Sequence, residues 1–106
     1  MAWTLLGVAG ILEIAFAFYM KGSEGFTRLV PGVLTVITGL SSVLLLSFSL
    51  RTLPVGTAYA VWTGIGAAGT AIVGMALLGD STSLPRILCI AVILAGVIGL
   101  KLVSVN

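Results

Sequence analysis

The sequence lacks histidine altogether and contains a single cysteine and three acidic residues. With so few ligands we expect no protein metal site. One cysteine cannot form a disulfide or a CxxC motif within a chain, and we expect Cys89, which lies in an apolar run, to pack as a small hydrophobic residue. Without a histidine or a pair of acids there is no catalytic constellation, so we predict neither an enzyme nor a cofactor.

Charge is also scarce, at 8% of residues with a net charge of +2. The five basic residues lie singly at the ends of apolar segments, and they form no patch with aromatic residues. A nucleic-acid partner is therefore excluded. Basic residues in such positions are typical anchors at a membrane interface.

Apolar residues are plentiful, at 59% of the 106 residues, and the mean hydropathy is +1.30. A soluble domain does not have this composition, so the chain is predicted to be an integral membrane protein with the lipid bilayer as its surroundings. Fourteen glycines fit closely packed transmembrane helices. We predict one all-α transmembrane domain over residues 1–106.

Charged residues, glycine, serine and proline divide the chain into four hydrophobic runs. These runs cover residues 3–20, 29–50, 53–78 and 87–103. About 20 apolar residues in a helix span the ~30 Å hydrocarbon core, so each run predicts one transmembrane helix.

The distribution of basic residues gives almost no preferred orientation. Four spans place Lys21, Arg28 and Arg86 on one side of the membrane and Arg51 and Lys101 on the other. Because this bias is so small, we predict insertion in both orientations and an antiparallel dimer, which would form the inverted repeat that larger transporters encode in one chain. A fixed topology and a heterodimer with a related chain are the alternatives.

Glu13 is the only charged residue inside the first run. A carboxylate in hydrocarbon costs roughly 2.5–3.5 kcal/mol, so it marks a functional site and calls for a polar or cationic partner. Gly10 and Phe16 lie three residues from Glu13 on either side and are predicted to line the space beside it.

Small and hydroxyl-bearing residues repeat every three to four positions in the second run and form one stripe on a helix. The stripe comprises Gly32, Thr35, Thr38, Gly39, Ser42 and Ser49. We predict that Ser42 donates a hydrogen bond to Glu13, whereas the other hydroxyls bond to carbonyls of their own helix.

Tyr59, Trp62 and Thr63 share one helix face in the third run. Trp62 is well inside the span, where its ring can receive a cation at ~1–2 kcal/mol and the Tyr59 hydroxyl can bond a carboxylate. The alternative is that the two aromatic residues only pack between helices. Gly64 and Gly66 would allow a bend in this helix.

The fourth run has a small-residue face for close helix contact at Ala91, Ala95 and Gly99. Since its interior contains no functional group, we predict that it is the dimerisation helix. Lys101, near its end, can extend to the membrane interface.

These residues together resemble the small multidrug resistance family of proton-coupled cation exporters along the whole chain. The resemblance is carried by Glu13, the loop at 24–31, Ser42 and the stretch 54–66, which reads Pro-Val-Gly-Thr-Ala-Tyr-Ala-Val-Trp-Thr-Gly-Ile-Gly. It implies an antiparallel dimer whose two glutamates bind either protons or a cation. The binding residues on this basis are Glu13, Ser42, Tyr59 and Trp62, and the third helix bends at Gly64 and Gly66.

Residues 62–67 and 99–101 resemble the guanidinium exporter subfamily in particular. Phe16 departs from that subfamily, which usually has Trp one turn after the glutamate, and residues 23–26 resemble the quaternary ammonium branch instead. Phe16 has no N–H to orient Glu13, so a looser site for substituted cations is the alternative.

The predicted function is therefore export of small organic cations across the cell membrane in exchange for protons, most simply guanidinium compounds. Quaternary ammonium export is the alternative, and a proton channel or rotor-type subunit is more remote. A rotor would be a hairpin and would give Tyr59 and Trp62 no role. A non-transporting structural partner is a further alternative.

Overall fold

A computed structural model describes residues 1–103. This part of the chain forms four helices, which are α1 (Ala2–Gly22), α2 (Leu29–Ser49), α3 (Val55–Leu77) and α4 (Leu84–Val103). Each is long and apolar enough to cross a membrane. The predicted all-α fold with four transmembrane helices is confirmed.

Two helices extend further than the hydrophobic runs indicated. Helix α1 continues through Lys21, and α4 begins at Leu84, three residues before the predicted start at Ile87. Lys21 and Arg86 therefore lie in helical turns, although the hydrophobic pattern assigns both to loops. Pro85 did not delay the start of α4, because a proline in the first turn gives up an N–H that has no helical partner.

Helix α1 packs against both α2 and α3, whereas α4 packs against α3. Small residues let α1 and α3 approach closely: a Cβ on Gly10 would lie 2.6 Å from Cγ2 of Ile65, and one on Gly69 would overlap Ile14. The buried core near the amino end of α1 includes Leu6 from this helix and Val61 from α3.

Large apolar side chains remain exposed on α2 and α4, including Leu40 and Leu44 on α2 and Val92 and Ile98 on α4. In water these surfaces would be unfavourable, but in a bilayer they contact lipid or another chain. Helix α4 has a single buried residue, Ile90, so most of its surface is available for such contacts.

Ser23 organises the short loop between α1 and α2. Its side chain is fully buried. The hydroxyl donates a hydrogen bond to the Met20 carbonyl at 2.7 Å and accepts one from the Phe26 N–H at 3.1 Å. Glu24, Gly25 and Phe26 all have positive φ angles, a conformation that is unfavourable for a large side chain such as Phe26. The loop in this form places the Phe26 ring against Gly32 at the start of α2.

Candidate functional site

Glu13 lies half-buried in the middle of α1, with its side chain directly against Gly66 of α3. A Cβ at position 66 would overlap the Glu13 side chain. The absence of a side chain at Gly66 therefore determines where the carboxylate can lie. From this position Glu13 borders two separate cavities.

The first cavity, here called the α2-side cavity, has a volume of ≈ 350 Å³. It is lined by Glu13, Phe16, Phe26, Thr35, Val36, Gly39, Leu40, Val43 and Trp62. The lining is mostly apolar and aromatic, and Glu13 is its only charged group. A carboxylate beside an indole ring in such surroundings is suited to binding an organic cation.

Phe16 lies in this cavity because Gly39 leaves room for its ring. A Cβ on Gly39 would lie 2.7 Å from Cδ1 of Phe16. The predicted position of Phe16 beside Glu13 agrees with this arrangement, and the contact with Gly39 shows which feature of α2 accommodates the ring.

Ser42 connects three helices through its hydroxyl group. It donates a hydrogen bond to the Ala9 carbonyl of α1 at 2.7 Å and accepts one from Nε1 of Trp62 at 2.9 Å. The predicted hydrogen bond from Ser42 to Glu13 is therefore wrong, because the only hydroxyl proton is used one turn earlier on α1. Ser42 acts on the site by fixing α1 and the Trp62 ring.

Four other hydroxyls bond to carbonyls of their own helices, three on α2, as predicted, and one on α3. Thr35 donates to Pro31, Thr38 to Leu34 and Ser49 to Leu46, while Thr63 donates to Tyr59. Only Ser42 among the stripe residues makes a bond to another helix in the part of the chain that the structure describes.

Tyr59 lies next to Trp62, with ring centroids 5.6 Å apart. It is 55% exposed in the single chain and lines neither of the two cavities that reach Glu13. Within one chain, the Tyr59 ring contacts Trp62, and the Tyr59 carbonyl accepts a hydrogen bond from Thr63. Thr63 is placed differently from both, because it borders the second cavity.

Three glycines predicted to serve the site lie at helix contacts. Gly10 packs against Ile65, Gly64 against Val97 of α4, and Gly66 against Glu13. Gly10 lines neither cavity that contains Glu13. Helix α3 is continuous from Val55–Leu77, so a bend at Gly64 and Gly66 stays a prediction for another state of the protein.

The second cavity, here called the α4-side cavity, lies on the other side of Glu13 and has a volume of ≈ 430 Å³. It is lined by Glu13, Thr63, Gly66, Ala67, Thr70, Ala71, Asp80 and Arg86. Asp80 and Arg86 form an ion pair at 3.6 Å. Sequence reasoning assigned both residues to a surface loop and missed this cavity, although the small residues at 66, 67, 70 and 71 fall on one helix face.

The face of α4 predicted to form a dimer is open in the single chain. Ala91 and Ala95 are exposed, and a Cβ on Gly96 or Gly99 would have no neighbouring atom within 4 Å. The Lys101 side chain packs over Trp3, with its ammonium group 5.8 Å from the centroid of the ring.

Comparisons with known proteins agree with this architecture. A family model described as "Small Multidrug Resistance protein" matches residues 1–93. A guanidinium exporter of Yersinia pseudotuberculosis is 57% identical over 104 residues, which cover 98% of this chain and all of the relative. A guanidinium exporter of Citrobacter freundii is 54% identical over 102 residues, covering 96% of this chain and 97% of the relative.

Proposed function

The chain belongs to the small multidrug resistance family of multi-pass inner-membrane transporters, which are not enzymes, and we propose that it exports guanidinium-type cations in exchange for protons. The observation that carries the proposal is Glu13, a half-buried carboxylate that borders a cavity shared with Trp62. Relatives named as guanidinium exporters support the choice of substrate class.

Competition at one carboxylate provides the coupling. A proton neutralises Glu13, whereas a cation stabilises its ionised form, so the two exclude each other. If the protein reorients its site only when one of them is bound, a proton gradient drives the cation out. Trp62 contributes an aromatic face for the cation, and Ser42 holds that ring in place through the bond to Nε1.

We further propose that the working unit is an antiparallel homodimer with two Glu13 carboxylates in one central site. The exposed small-residue face of α4 offers a surface for close helix contact, and the nearly balanced basic residues permit both orientations. Tyr59, exposed in the single chain, would then reach the site from a neighbouring copy.

A second substrate class is favoured by one observation. Phe16, Val36, Leu40 and Val43 give the α2-side cavity an apolar wall, and Phe16 supplies no N–H donor. Substituted guanidinium or quaternary ammonium cations would place their apolar groups there. Currents measured with guanidinium and with tetraethylammonium under the same proton gradient decide between them.

The test of the main proposal is Glu13→Gln in proteoliposomes on a solid-supported membrane. We expect the guanidinium-evoked current and saturable guanidinium binding to disappear, because the amide cannot exchange a proton for a cation. Glu24→Gln is the matched control, since Glu24 is exposed and borders neither cavity. Proton-coupled guanidinium uptake that persists in Glu13→Gln would refute the proposal.

A further inference from the structure

Glu13 and Asp80 both lie against α3, and both border the α4-side cavity. The Glu13 side chain rests on Gly66, and the Asp80 carboxylate rests on Gly74. Gly74 follows Gly66 by eight positions, and at ~1.5 Å per position the two contacts lie roughly 12 Å apart along the helix. The Asp80 N–H donates to the Gly74 carbonyl at 3.0 Å, which holds Asp80 at the carboxyl end of α3.

The surface between these two carboxylates is free of large side chains. Gly66, Ala67, Thr70 and Ala71 form it, and all four border the α4-side cavity. A small cation at Asp80 would meet only these residues on the α3 side on its way to Glu13. The cavity thus connects the membrane-surface end of α3 with the central carboxylate.

The Arg86 guanidinium is paired with the Asp80 carboxylate, but the pairing is loose. The ion pair has one contact of 3.6 Å between the guanidinium and the carboxylate, which is longer than a hydrogen bond. Both side chains are partly exposed, at 38% for Arg86 and 45% for Asp80. Within residues 1–103, Nε of Arg86 is buried without a hydrogen-bond partner. The carboxylate is therefore available to a better-fitting donor.

We propose that Asp80 is an entry site for guanidinium-type cations and that the Arg86 side chain fills this site until such a cation displaces it. The inference rests on the proposed function. Its chemical basis is that Arg86 carries the same planar group as the substrate, so a free guanidinium can form two parallel N–H bonds to Asp80 where Arg86 forms one contact. From Asp80 the bound cation then moves through the α4-side cavity to Glu13.

Asp80→Asn tests this inference, with guanidinium chloride as the probe. We expect kcat/KM for guanidinium to fall about threefold to tenfold because the carboxylate that accepts its two parallel N–H bonds is lost. The maximal current at saturating guanidinium and the equilibrium affinity of the central site should be retained, and this retained affinity also shows that the variant is folded. Asp80→Glu keeps a carboxylate at this position and should therefore keep kcat/KM near that of the unaltered protein.

Glu24→Gln is the matched control, because it removes one carboxylate from a loop on the same side of the membrane and outside the cavity. Arg86→Gln should act in the opposite direction and raise currents at low guanidinium. If Asp80→Asn behaves like Glu24→Gln, the entry site is refuted. An equal loss for guanidinium and tetraethylammonium would refute guanidinium-specific recognition. Absence of any guanidinium current from the unaltered protein would instead refute the proposed function.

Discussion

At the scale of single residues, Ser42 is the group on which the arrangement of the site depends most directly. One hydroxyl donates to the Ala9 carbonyl and accepts from Trp62. Since Ala9 precedes Glu13 by one helical turn, Ser42 fixes both the carboxylate-bearing helix and the ring that faces the cation. The sequence indicated that Ser42 was exceptional but not which partner it takes.

We expect Ser42→Ala to raise the Kd for guanidinium about fivefold, corresponding to about 1 kcal/mol for a lost hydrogen bond. The indole N–H of Trp62 would lose its acceptor, so Trp62 fluorescence, measured in a Trp3→Phe background, should shift as well. Ser49→Ala is the control, because Ser49 is equally buried on α2 but bonds within its own helix. Equal effects of the two substitutions would contradict the bridging role.

Phe16 is the residue that we expect to set the breadth of substrates. Its ring lies in the α2-side cavity against Gly39 and has no polar atom. Phe16→Trp would add an N–H one turn from Glu13, and a hydrogen bond to a charged partner is worth about 1.5–3 kcal/mol. We predict that the ratio of guanidinium to tetraethylammonium kcat/KM rises about tenfold.

Phe16→Leu is the comparison that distinguishes the effect of the added N–H donor from the effect of altering the phenyl ring. Leu removes the aromatic ring without supplying a donor, so the selectivity ratio should stay near that of the unaltered protein. Solid-supported-membrane currents over a concentration series provide both ratios. A ratio that does not rise in Phe16→Trp would show that another group orients Glu13.

At the scale of helices, the position of α1 against α3 depends on glycine. Gly66 is buried, and its Cα lies under Glu13 with no space for a Cβ. Overpacking of this kind typically costs about 1–3 kcal/mol. We predict that Gly66→Ala displaces the Glu13 side chain and lowers guanidinium transport at least about tenfold.

Gly56→Ala is the matched control in the same helix, because nothing lies within 4 Å of a Cβ at position 56. Alanine there should leave transport unchanged, as it adds no contact and favours the helix slightly. Thermal unfolding in detergent should show whether any loss in Gly66→Ala comes from instability. Normal transport by Gly66→Ala would contradict the close contact between α3 and Glu13.

The helices themselves could be predicted from the sequence because the bilayer requires long apolar segments with internally bonded backbones. Their ends were harder to predict, since Lys21 and Arg86 read as loop residues although helices continue through them. Glu13, Phe16 and Trp62 were found from residue type and spacing. The α4-side cavity was missed because the contact between Asp80 and Gly74 depends on how the chain turns after α3. The hydrophobic periodicity of the sequence does not predict that turn.

At the scale of the whole molecule, the surface of the single chain is incomplete. Helix α4 packs against α3 only, within the described residues, and Ala91, Ala95 and Gly99 remain uncovered. Lipid could cover this face, but small residues gain more from close contact with another helix than from lipid chains. A second copy in the opposite orientation would cover it and bring a second Glu13 toward the site.

The orientation of the chain provides the test at this scale. Basic residues now number three on one side and two on the other. A Ser81→Lys and Thr82→Lys variant would give five basic residues against two, whereas a Lys21→Gln, Arg28→Gln and Thr52→Lys variant would give one against three. We predict that each of these two variants expressed alone takes one orientation and fails to export guanidinium, because antiparallel pairing needs both orientations. Co-expression of the two should restore export.

Cysteine-accessibility labelling at the loops verifies the orientations, and a Ser81→Gln and Thr82→Gln variant controls for changes in the loop other than charge. Full export by either orientation variant alone, with one orientation verified, would show that the protein works as a parallel assembly or as a single chain.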